Sequence, residues 1–327
     1  MKRLLKIFAY IFCVILLLFA LLLIYVKNML PAVGNPPEIK VEMSPENIER
    51  GYYLANHVMV CMDCHSKRDW TLFSGPIIAG TEGQGGEVFD QKTGFPGKYI
   101  SSNITPYNLG KWSDGEIFRA ITTGVSKDGR ALFSIMPYHN FGQLDVDDIA
   151  AVIAYIRSIE PIKNEPEKSS SDFPMNFIIN TLPKKSEFKK IPSKSDVVSY
   201  GKYMVTSAGC MDCHTKQEKG KFVGEVFAGG FEFMLPDGSG SIVRSSNLTP
   251  DKTTGIGNWT KEQFITRFKM YSDSSYKHII VKSGEFQTPM PWTMYTGMTT
   301  DDLAAIYEYL HNLKPVENSI VKFSMSK

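Results

Sequence analysis

The chain has 327 residues, 43% of them hydrophobic, and a formal net charge of +2 at pH 7. Residues 1–34 hold four basic side chains and no acidic one, so the remainder has 32 basic and 34 acidic residues and a formal charge of −2. This balance argues against a nucleic-acid partner, which would require a basic surface, and the length is enough for two modest hydrophobic cores.

The first predicted element is an apolar helix near the start of the sequence. Residues 7–26 are uncharged, and twenty helical residues at about 1.5 Å each span a hydrocarbon core of about 30 Å. Basic residues before this stretch predict a cytoplasmic amino end. Residues 1–34 are therefore predicted as a single-pass anchor in the cytoplasmic (inner) membrane, with the rest in the periplasm. A cleaved signal peptide is the alternative, because residues 32–34 form a weak cleavage candidate.

A five-residue motif follows and occurs twice. Cys-Met-Asp-Cys-His stands at residues 61–65 and again at 210–214. Cys-x-x-Cys-His is the attachment signature of c-type haem. Two cysteines three apart on a helical turn face the same way and reach one porphyrin, while the histidine supplies an axial ligand to iron. The sequence thus predicts two covalently bound haem c groups held by Cys61, Cys64 and His65, and by Cys210, Cys213 and His214.

A structural zinc site and a redox-active cysteine pair are the competing interpretations of this motif. The zinc interpretation lacks a fourth ligand near either motif, and a redox pair needs neither the following histidine nor a second copy. The fifth cysteine, Cys13, lies within the apolar stretch and reaches neither motif.

The rest of the sequence contains an internal repeat, in which one unit occurs twice. The matched segments are Ser-Ser-Asn-Ile/Leu-Thr-Pro at 101–106 and 245–250, Trp112 and Trp259, Met-Pro at 136 and 290, and an Asp-Asp helix start at 147 and 301. Asp145 and Thr299 are predicted to cap the last helix of each unit. The predicted domains are residues 45–160 and 198–315, with a linker at 161–197 and a tail at 316–327.

The repeat also nominates a sixth ligand for each iron. Met136 and Met290 occupy the same place in their units, and each precedes a proline, which favours an extended chain at the methionine. Met294 and Met298 compete in the second unit, and His139 is an alternative in the first. A buried methionine of the core is the more ordinary role.

The linker is rich in proline, serine and lysine. It contains an apolar patch at 173–182, which we expect to dock on a domain, and a lysine-rich stretch at 184–194. The lysines are interpreted as a solvated connector, with a docking patch as the alternative.

Together these motifs resemble the class I cytochrome c domain. They are similar, more narrowly, to the haem domains in the cytochrome subunits of membrane-bound alcohol and gluconate dehydrogenases, most specifically over residues 247–259. The resemblance implies an all-α fold with two tandem class I cytochrome c domains behind one N-terminal transmembrane helix. Those subunits are expected to contain three consecutive haem domains, whereas this chain has two. The resemblance therefore does not identify the electron donor of this chain.

His/Met ligation would fill both axial positions and leave no open iron, which favours electron transfer over catalysis. We therefore expect an electron carrier rather than an enzyme, working in a periplasmic respiratory chain. A dehydrogenase is the expected donor, and an oxidase or soluble cytochrome the expected acceptor. The alternatives are a di-haem peroxidase with one open haem, or a dedicated haem subunit of a dehydrogenase or terminal oxidase complex.

Overall fold

The computed structural model describes residues 2–235, 237–273, 276 and 279–325. It begins with helix α1 (Lys2–Asn28), which has no buried residue. Within the described ranges α1 is the one helix long and apolar enough to cross a membrane, and a signal sequence would meet the same criterion.

Both repeats fold into the same series of helices. Each has a helix before its cysteines, a short helix carrying the motif, a helix after the tryptophan, a turn of helix after Met-Pro, and a terminal helix. In the first half these are α2 (Pro45–Tyr53), α3 (Cys61–Cys64), α4 (Pro106–Leu109), α5 (Asp114–Thr123), α6 (Tyr138–Phe141) and α7 (Val146–Ser158), where α4 is an additional short helix. The linker contributes α8 (Met175–Ile178), and the second half contains α9 (Val197–Ser207), α10 (Cys210–His214), α11 (Lys261–Lys269), α12 (Trp292–Tyr295) and α13 (Thr300–His311).

The terminal helices begin at the predicted caps. The Asp145 side chain accepts a hydrogen bond from the Asp147 backbone N–H at 3.2 Å, and Thr299 Oγ1 accepts one from the Asp302 N–H at 3.1 Å. Both capping predictions are confirmed.

In each half the first and last helices cross at a glycine. A Cβ atom at Gly51 would lie 1.9 Å from the carbonyl oxygen of Ala151, and one at Gly201 would lie 2.0 Å from that of Ala305. No side chain fits in these gaps, so the α2–α7 and α9–α13 crossings bring backbone against backbone.

The predicted all-α class is not confirmed in full, because the described residues also form short strands. In the first half β1 (Val88–Phe89), β2 (Gly97–Ile100) and β3 (Ser170–Ser171) pair antiparallel, and in the second β6 (Glu232–Met234), β7 (Ile242–Arg244) and β8 (Phe323–Ser324) pair in the same order. A small hairpin joins β4 (Gln217–Glu218) to β5 (Lys221–Phe222). In both halves the chain that leaves the terminal helix returns to a hairpin in the long loop after the motif.

Two of these strands lie outside the predicted domain limits. Strand β3 falls in the predicted linker and β8 in the predicted tail, of which residues 326–327 lie outside the described residues. The boundaries remain predictions, and these pairings tie each segment to the half that precedes it.

The two halves share one hydrophobic core. Leu54 and Ile149 of the first half and Met204 and Leu303 of the second are almost completely buried and belong to a single contiguous cluster. The halves therefore pack as one body in which the motif helices lie against common apolar side chains.

A pair of reciprocal hydrogen bonds joins the halves at the starts of their terminal helices. The Tyr203 hydroxyl of the second half donates to Asp148 Oδ2 of the first at 2.6 Å. The Tyr53 hydroxyl of the first half donates to Asp302 of the second. Tyr53 matches Tyr203 in the repeat and Asp148 matches Asp302, so one contact is made twice, in opposite directions.

The same carboxylates have different partners within their own halves. The Arg50 guanidinium donates to both oxygens of Asp148, at 2.8 and 2.9 Å. At the matching position Tyr200 donates its hydroxyl to Asp302 Oδ1 at 2.8 Å. One carboxylate is thus paired with a cation, and the other accepts hydrogen bonds from two phenols.

Candidate haem-attachment site

Each motif begins directly after a residue in the left-handed backbone region. Val60 has φ 48° and ψ 40°, and Gly209 has φ 64° and ψ 23°. Glycine adopts this conformation readily, whereas a β-branched valine is strained in it by about 1–3 kcal/mol. The turn ends the preceding helix and starts a new helical turn at the first cysteine.

The motif histidines are held by one ring nitrogen in the same way in both halves. His65 Nδ1 lies 2.7 Å from the carbonyl oxygen of Ser102, and His214 Nδ1 lies 2.8 Å from that of Ser246. A carbonyl can only accept, so Nδ1 carries the proton in both rings and Nε2 is left with its lone pair. This is the tautomer and orientation that an axial ligand requires. Burial lowers the pKa of both histidines, which further favours neutral imidazole.

Sequence reasoning missed these serine carbonyls, although the repeated Ser-Ser-Asn segment was their signal. The structure explains that segment. Asn103 Oδ1 accepts from the N–H and the hydroxyl of Thr105, while its amide donates to the carbonyls of Ile162 and Asn164. Asn247 makes the equivalent bonds to Thr249 and Val316. The asparagine therefore fixes the loop whose preceding carbonyl orients the histidine.

The motif cysteines are neutral thiols in their surroundings. Burial raises the pKa of Cys61, Cys64 and Cys210 to about 12. A redox-active pair instead needs a thiolate with a lowered pKa, so this environment does not support that interpretation. Among the described residues no group of three or more His, Cys, Asp or Glu side chains is arranged to hold a metal ion, so the zinc interpretation gains no support either.

The two nominated methionines occupy the same local structure. The N–H of residue 138 donates to the carbonyl of Met136, and that of Trp292 to the carbonyl of Met290, both at 2.8 Å. The intervening prolines have φ and ψ of −79° and 51°, and of −80° and 62°, so each is the central residue of an inverse γ-turn. Both methionine side chains are partly buried against the common core.

The competing ligands have other surroundings than the two nominated methionines. Met294 and Met298 are buried in the core. His139 is exposed, and its Nε2 lies 3.1 Å from Asp212 Oδ1 of the other half. Met136 and Met290 remain predicted ligands, and the matched turns support them.

These residues fit a haem group in each half. Nε2 of each histidine makes no hydrogen bond in the described part of the chain, and the cysteine thiols there are free. The Tyr138 hydroxyl, next to the Met136–Pro137 turn, is buried and has no partner among the described residues. A buried donor of this kind suits a group that brings its own acceptor.

The central acidic residue of the motif differs between the halves. Asp63 is buried and forms an ion pair with Arg68 at 3.0 Å, and burial raises its pKa to about 6 despite the opposing charge of Arg68. Asp212 instead accepts a hydrogen bond from Asn140 of the first half at 2.7 Å. The two predicted haem sites therefore have different electrostatic surroundings.

The first half also supports the methionine region of the second half. Ser74 of the first half donates its hydroxyl to the Met290 carbonyl at 2.6 Å and accepts from the Trp292 N–H at 3.2 Å. Gln287 of the second half accepts from the Ser74 N–H at 2.7 Å. The turn carrying Met290 is thus braced from across the interface.

Comparison with known proteins identifies the family of the region around the second motif. A family model described as "Cytochrome c" matches residues 198–314. Residues 198–314 are a cytochrome c domain. Over 289 residues the chain is 28% identical to the cytochrome c subunit of a quinone alcohol dehydrogenase from Gluconacetobacter polyoxogenes, a match covering 83% of this chain and 57% of that protein.

Two further relatives agree with this assignment. The chain is 25% identical over 291 residues to the gluconate 2-dehydrogenase cytochrome c subunit of Pantoea cypripedii, covering 85% of this chain and 62% of the relative. It is 23% identical over 207 residues to a protein named "Diheme cytochrome c-type" from Cereibacter sphaeroides, covering 59% and 64%. The chain thus spans 55–62% of the length of its alcohol and gluconate dehydrogenase relatives.

The resemblance inferred from the motifs is confirmed. The cytochrome c domain and the homology to cytochrome c subunits of dehydrogenases match the prediction. Such subunits are electron-transfer components rather than catalytic ones, in agreement with the expectation of a carrier, and the family binds haem c covalently.

Proposed function

We propose that this chain is a membrane-anchored di-haem cytochrome c that relays electrons between redox proteins. Residues 45–160 and 198–315 would form two tandem class I cytochrome c domains, joined by the linker at 161–197. The observation that carries the proposal is the duplicated Cys-x-x-Cys-His motif with the same histidine-to-serine carbonyl bond in each copy. A relative named as a di-haem cytochrome supports the number of haems.

Each haem c would supply reversible one-electron ferric/ferrous chemistry. Cys61, Cys64, Cys210 and Cys213 would provide the covalent tethers. His65 and His214 would bind iron through Nε2, held in place by their Nδ1 bonds to the serine carbonyls. Met136 and Met290 would present a thioether on the opposite face, from turns that are alike in both halves. Both sites would then be closed, which favours a carrier over the peroxidase alternative.

The shared core supports transfer within the chain. Tyr295 is buried and donates its hydroxyl to the Ala208 carbonyl at 2.6 Å. Burial raises its pKa well above the usual value, so the hydroxyl stays protonated and keeps this bond. Tyr295 therefore holds the backbone just before the second motif, inside the core that both halves share.

Helix α1 would be the anchor, in the cytoplasmic membrane, with the remaining residues in the periplasm. The end of α1 contacts the linker, because Asn180 Nδ2 donates to the Val26 carbonyl at 3.4 Å. The names of the relatives favour a dehydrogenase as donor. An oxidase or soluble cytochrome would be the acceptor.

The test is the absorption spectrum of the purified full chain in its oxidised and reduced forms, with a haem count and carbon monoxide added to the ferrous form. We expect two haems per chain, a far-red methionine-to-iron band accounting for both, and no carbon monoxide binding. Met136→Ala and Met290→Ala should each remove half of the far-red band and open one haem.

Met294→Leu is the matched control, because it changes a methionine four residues from Met290 that is buried in the core. It should keep the whole band. One haem per chain would refute the di-haem relay and the di-haem peroxidase alike. Two haems per chain, one of which binds carbon monoxide readily in the native ferrous protein, would refute the relay and favour the peroxidase alternative.

The second candidate is a dedicated subunit of a dehydrogenase complex, as the relatives' names suggest. Stoichiometric copurification of a dehydrogenase through mild detergent would support it. A chain that purifies alone and still accepts electrons from several donors would favour the free-standing relay.

A further inference from the structure

The linker contacts both the C-terminal end of α1 and the first half of the molecule. Helix α8 and the turn Ile179–Thr181 pack against α1, and Asn180 donates to the Val26 carbonyl. Immediately before them, β3 pairs with β2, and the Asp172 N–H donates to the Pro96 carbonyl at 3.0 Å. Residues 172–182 therefore bridge α1 and the first half.

This bridge exposes large apolar side chains. Phe173 is 82% exposed and Ile178 is 42% exposed, while Met29, just after α1, is 64% exposed. Large apolar side chains exposed on neighbouring segments are costly in water, and such exposure marks an interaction surface. The patch at 173–182 packs on α1, and the residues just before it pair with the first half. Docking of the patch itself on a domain stays a prediction, and Phe173 and Ile178 are uncovered.

The position of the patch along α1 indicates what covers it. The uncharged part of the helix ends at Val26, the residue that Asn180 contacts, and Lys27 and Asn28 follow. If residues 7–26 fill a hydrocarbon core of about 30 Å, Val26 lies at the boundary between acyl chains and headgroups. The bridge is then held at the height at which interfacial helices bury apolar side chains.

The flanking charges suit the same surface. Lys184 and Lys185 follow the patch directly and are exposed, and Lys27 ends α1. Lysines beside an interfacial apolar segment are attracted to anionic headgroups.

We propose that residues 173–182 dock on the surface of an anionic phospholipid bilayer and give the chain a second membrane attachment beside α1. Phe173 and Ile178 enter the boundary between headgroups and acyl chains, and the neighbouring lysines contact lipid phosphates. This inference rests on the proposed anchoring by α1. A second attachment next to the first half fixes the orientation of the haem domains on the membrane, which a single helix could not do.

The test uses the full-length holoprotein in nanodiscs of phosphatidylethanolamine and phosphatidylglycerol, with nitroxide spin labels on single cysteines. The native Cys13 thiol, within α1, reports the anchor. Phe173→Cys in a Cys13→Ser background reports the patch, and Phe222→Cys in the same background is an exposed control in strand β5. The readout is the accessibility of each label to oxygen, which partitions into lipid, and to a water-soluble nickel chelate.

We expect the labels at positions 13 and 173 to be more accessible to oxygen than to nickel, and the label at 222 to show the reverse. A label at 173 that behaves like that at 222, while Cys13 reports lipid, would overturn the docking and leave the anchor intact. Aqueous behaviour at both 13 and 173 would overturn the anchor as well.

Protection of position 173 from both reagents would also refute lipid docking, since it would show that protein covers the patch. An unchanged haem spectrum verifies folding of each variant. Ile178→Cys is the second reporter, with the same expected behaviour, and it serves if Phe173→Cys does not fold.

Discussion

Single side chains decide whether the predicted distal ligands can be held in place. Ser74 is the clearest example, because its hydroxyl bonds the backbone on both sides of Pro291, while its own N–H is held by Gln287. Nothing in the repeat indicates this role, since the position matching Ser74 by the cysteine offset is Val223. A contact between residues more than two hundred positions apart, made by one half only, leaves no local pattern to detect.

We predict that Ser74→Ala loosens the Met290 turn and leaves the Met136 turn unchanged. Losing the hydroxyl removes one hydrogen bond from the Met290 carbonyl and one from the Trp292 N–H, which then keep only their bond to each other. Each lost bond costs about 0.5–1.5 kcal/mol. The far-red band of one haem should weaken, and that ferrous haem should begin to bind carbon monoxide. Absorption spectroscopy of the variant measures both effects.

Ser126→Ala is the control for this substitution. Ser126 is also buried and hydrogen-bonded, but to Asp128 and Arg130 of its own half. It should lower stability without altering the far-red band. Equal spectral effects of the two variants would contradict the bracing role of Ser74.

At the scale of helices and strands, sequence patterns predict features set by residues close together in the chain, such as helix caps. They do not predict the short strands or the turn before the first motif. The caps at Asp145 and Thr299 are confirmed because capping involves residues two or three positions apart. The strands were missed because segments such as Val88–Phe89 and Phe323–Ser324 are too short to show an alternating pattern. The left-handed turn at Val60 was also missed, since valine is a residue type that normally avoids this conformation.

The helix crossings lead to a prediction about stability. Gly51→Ala and Gly201→Ala would each place a Cβ against a backbone carbonyl that cannot move without separating two helices. We expect each substitution to lower the free energy of unfolding by about 3 kcal/mol or more, at the upper end of the cost of overpacking. Chemical denaturation of the holoprotein measures the change.

Gly220→Ala distinguishes this clash from the general cost of replacing a glycine. Gly220 has φ 73°, and no heavy atom lies within 4 Å of its added Cβ. Only backbone strain of about 1–2 kcal/mol is expected there. If all three variants lost the same stability, the close crossings would not explain the two glycines.

The whole molecule depends on contacts that join its halves. The Tyr203 hydroxyl to Asp148 bond is buried, and it engages an ionised carboxylate that Arg50 also holds. We expect Tyr203→Phe to cost about 1.5–3 kcal/mol, the usual range for a hydrogen bond to a charged group. In a double-mutant cycle with Asp148→Asn the two substitutions should be strongly non-additive.

Tyr107→Phe provides the comparison, because Tyr107 donates to Glu165 at 2.8 Å on the surface. The same chemical change should there cost less than about 0.5 kcal/mol. Similar losses of unfolding free energy for Tyr107→Phe and Tyr203→Phe would show that the hydrogen bond between the halves stabilises the fold no more than one on the surface.

The common core predicts that the halves unfold together. Side chains of both belong to one buried cluster, so neither half can lose its packing and leave the other intact. We expect one cooperative transition in which haem absorbance and far-ultraviolet circular dichroism coincide. Two separated transitions, one for each predicted domain, would contradict this expectation.

The reciprocal tyrosine–aspartate contacts are arranged like those across the interface of a two-fold symmetric homodimer, but here both sides belong to one polypeptide. In such a dimer, residue i of one subunit meets residue j of the other, and j meets i. Here Tyr53 and Tyr203 take one role, and Asp302 and Asp148 the other. The two subunits of a homodimer must have the same sequence, whereas two halves of one chain need not. A residue of one half can therefore differ while the other half keeps its interface contact. Arg50 and Tyr200 occupy matching positions but differ in charge, so the same surface has a different electrostatic character in each half.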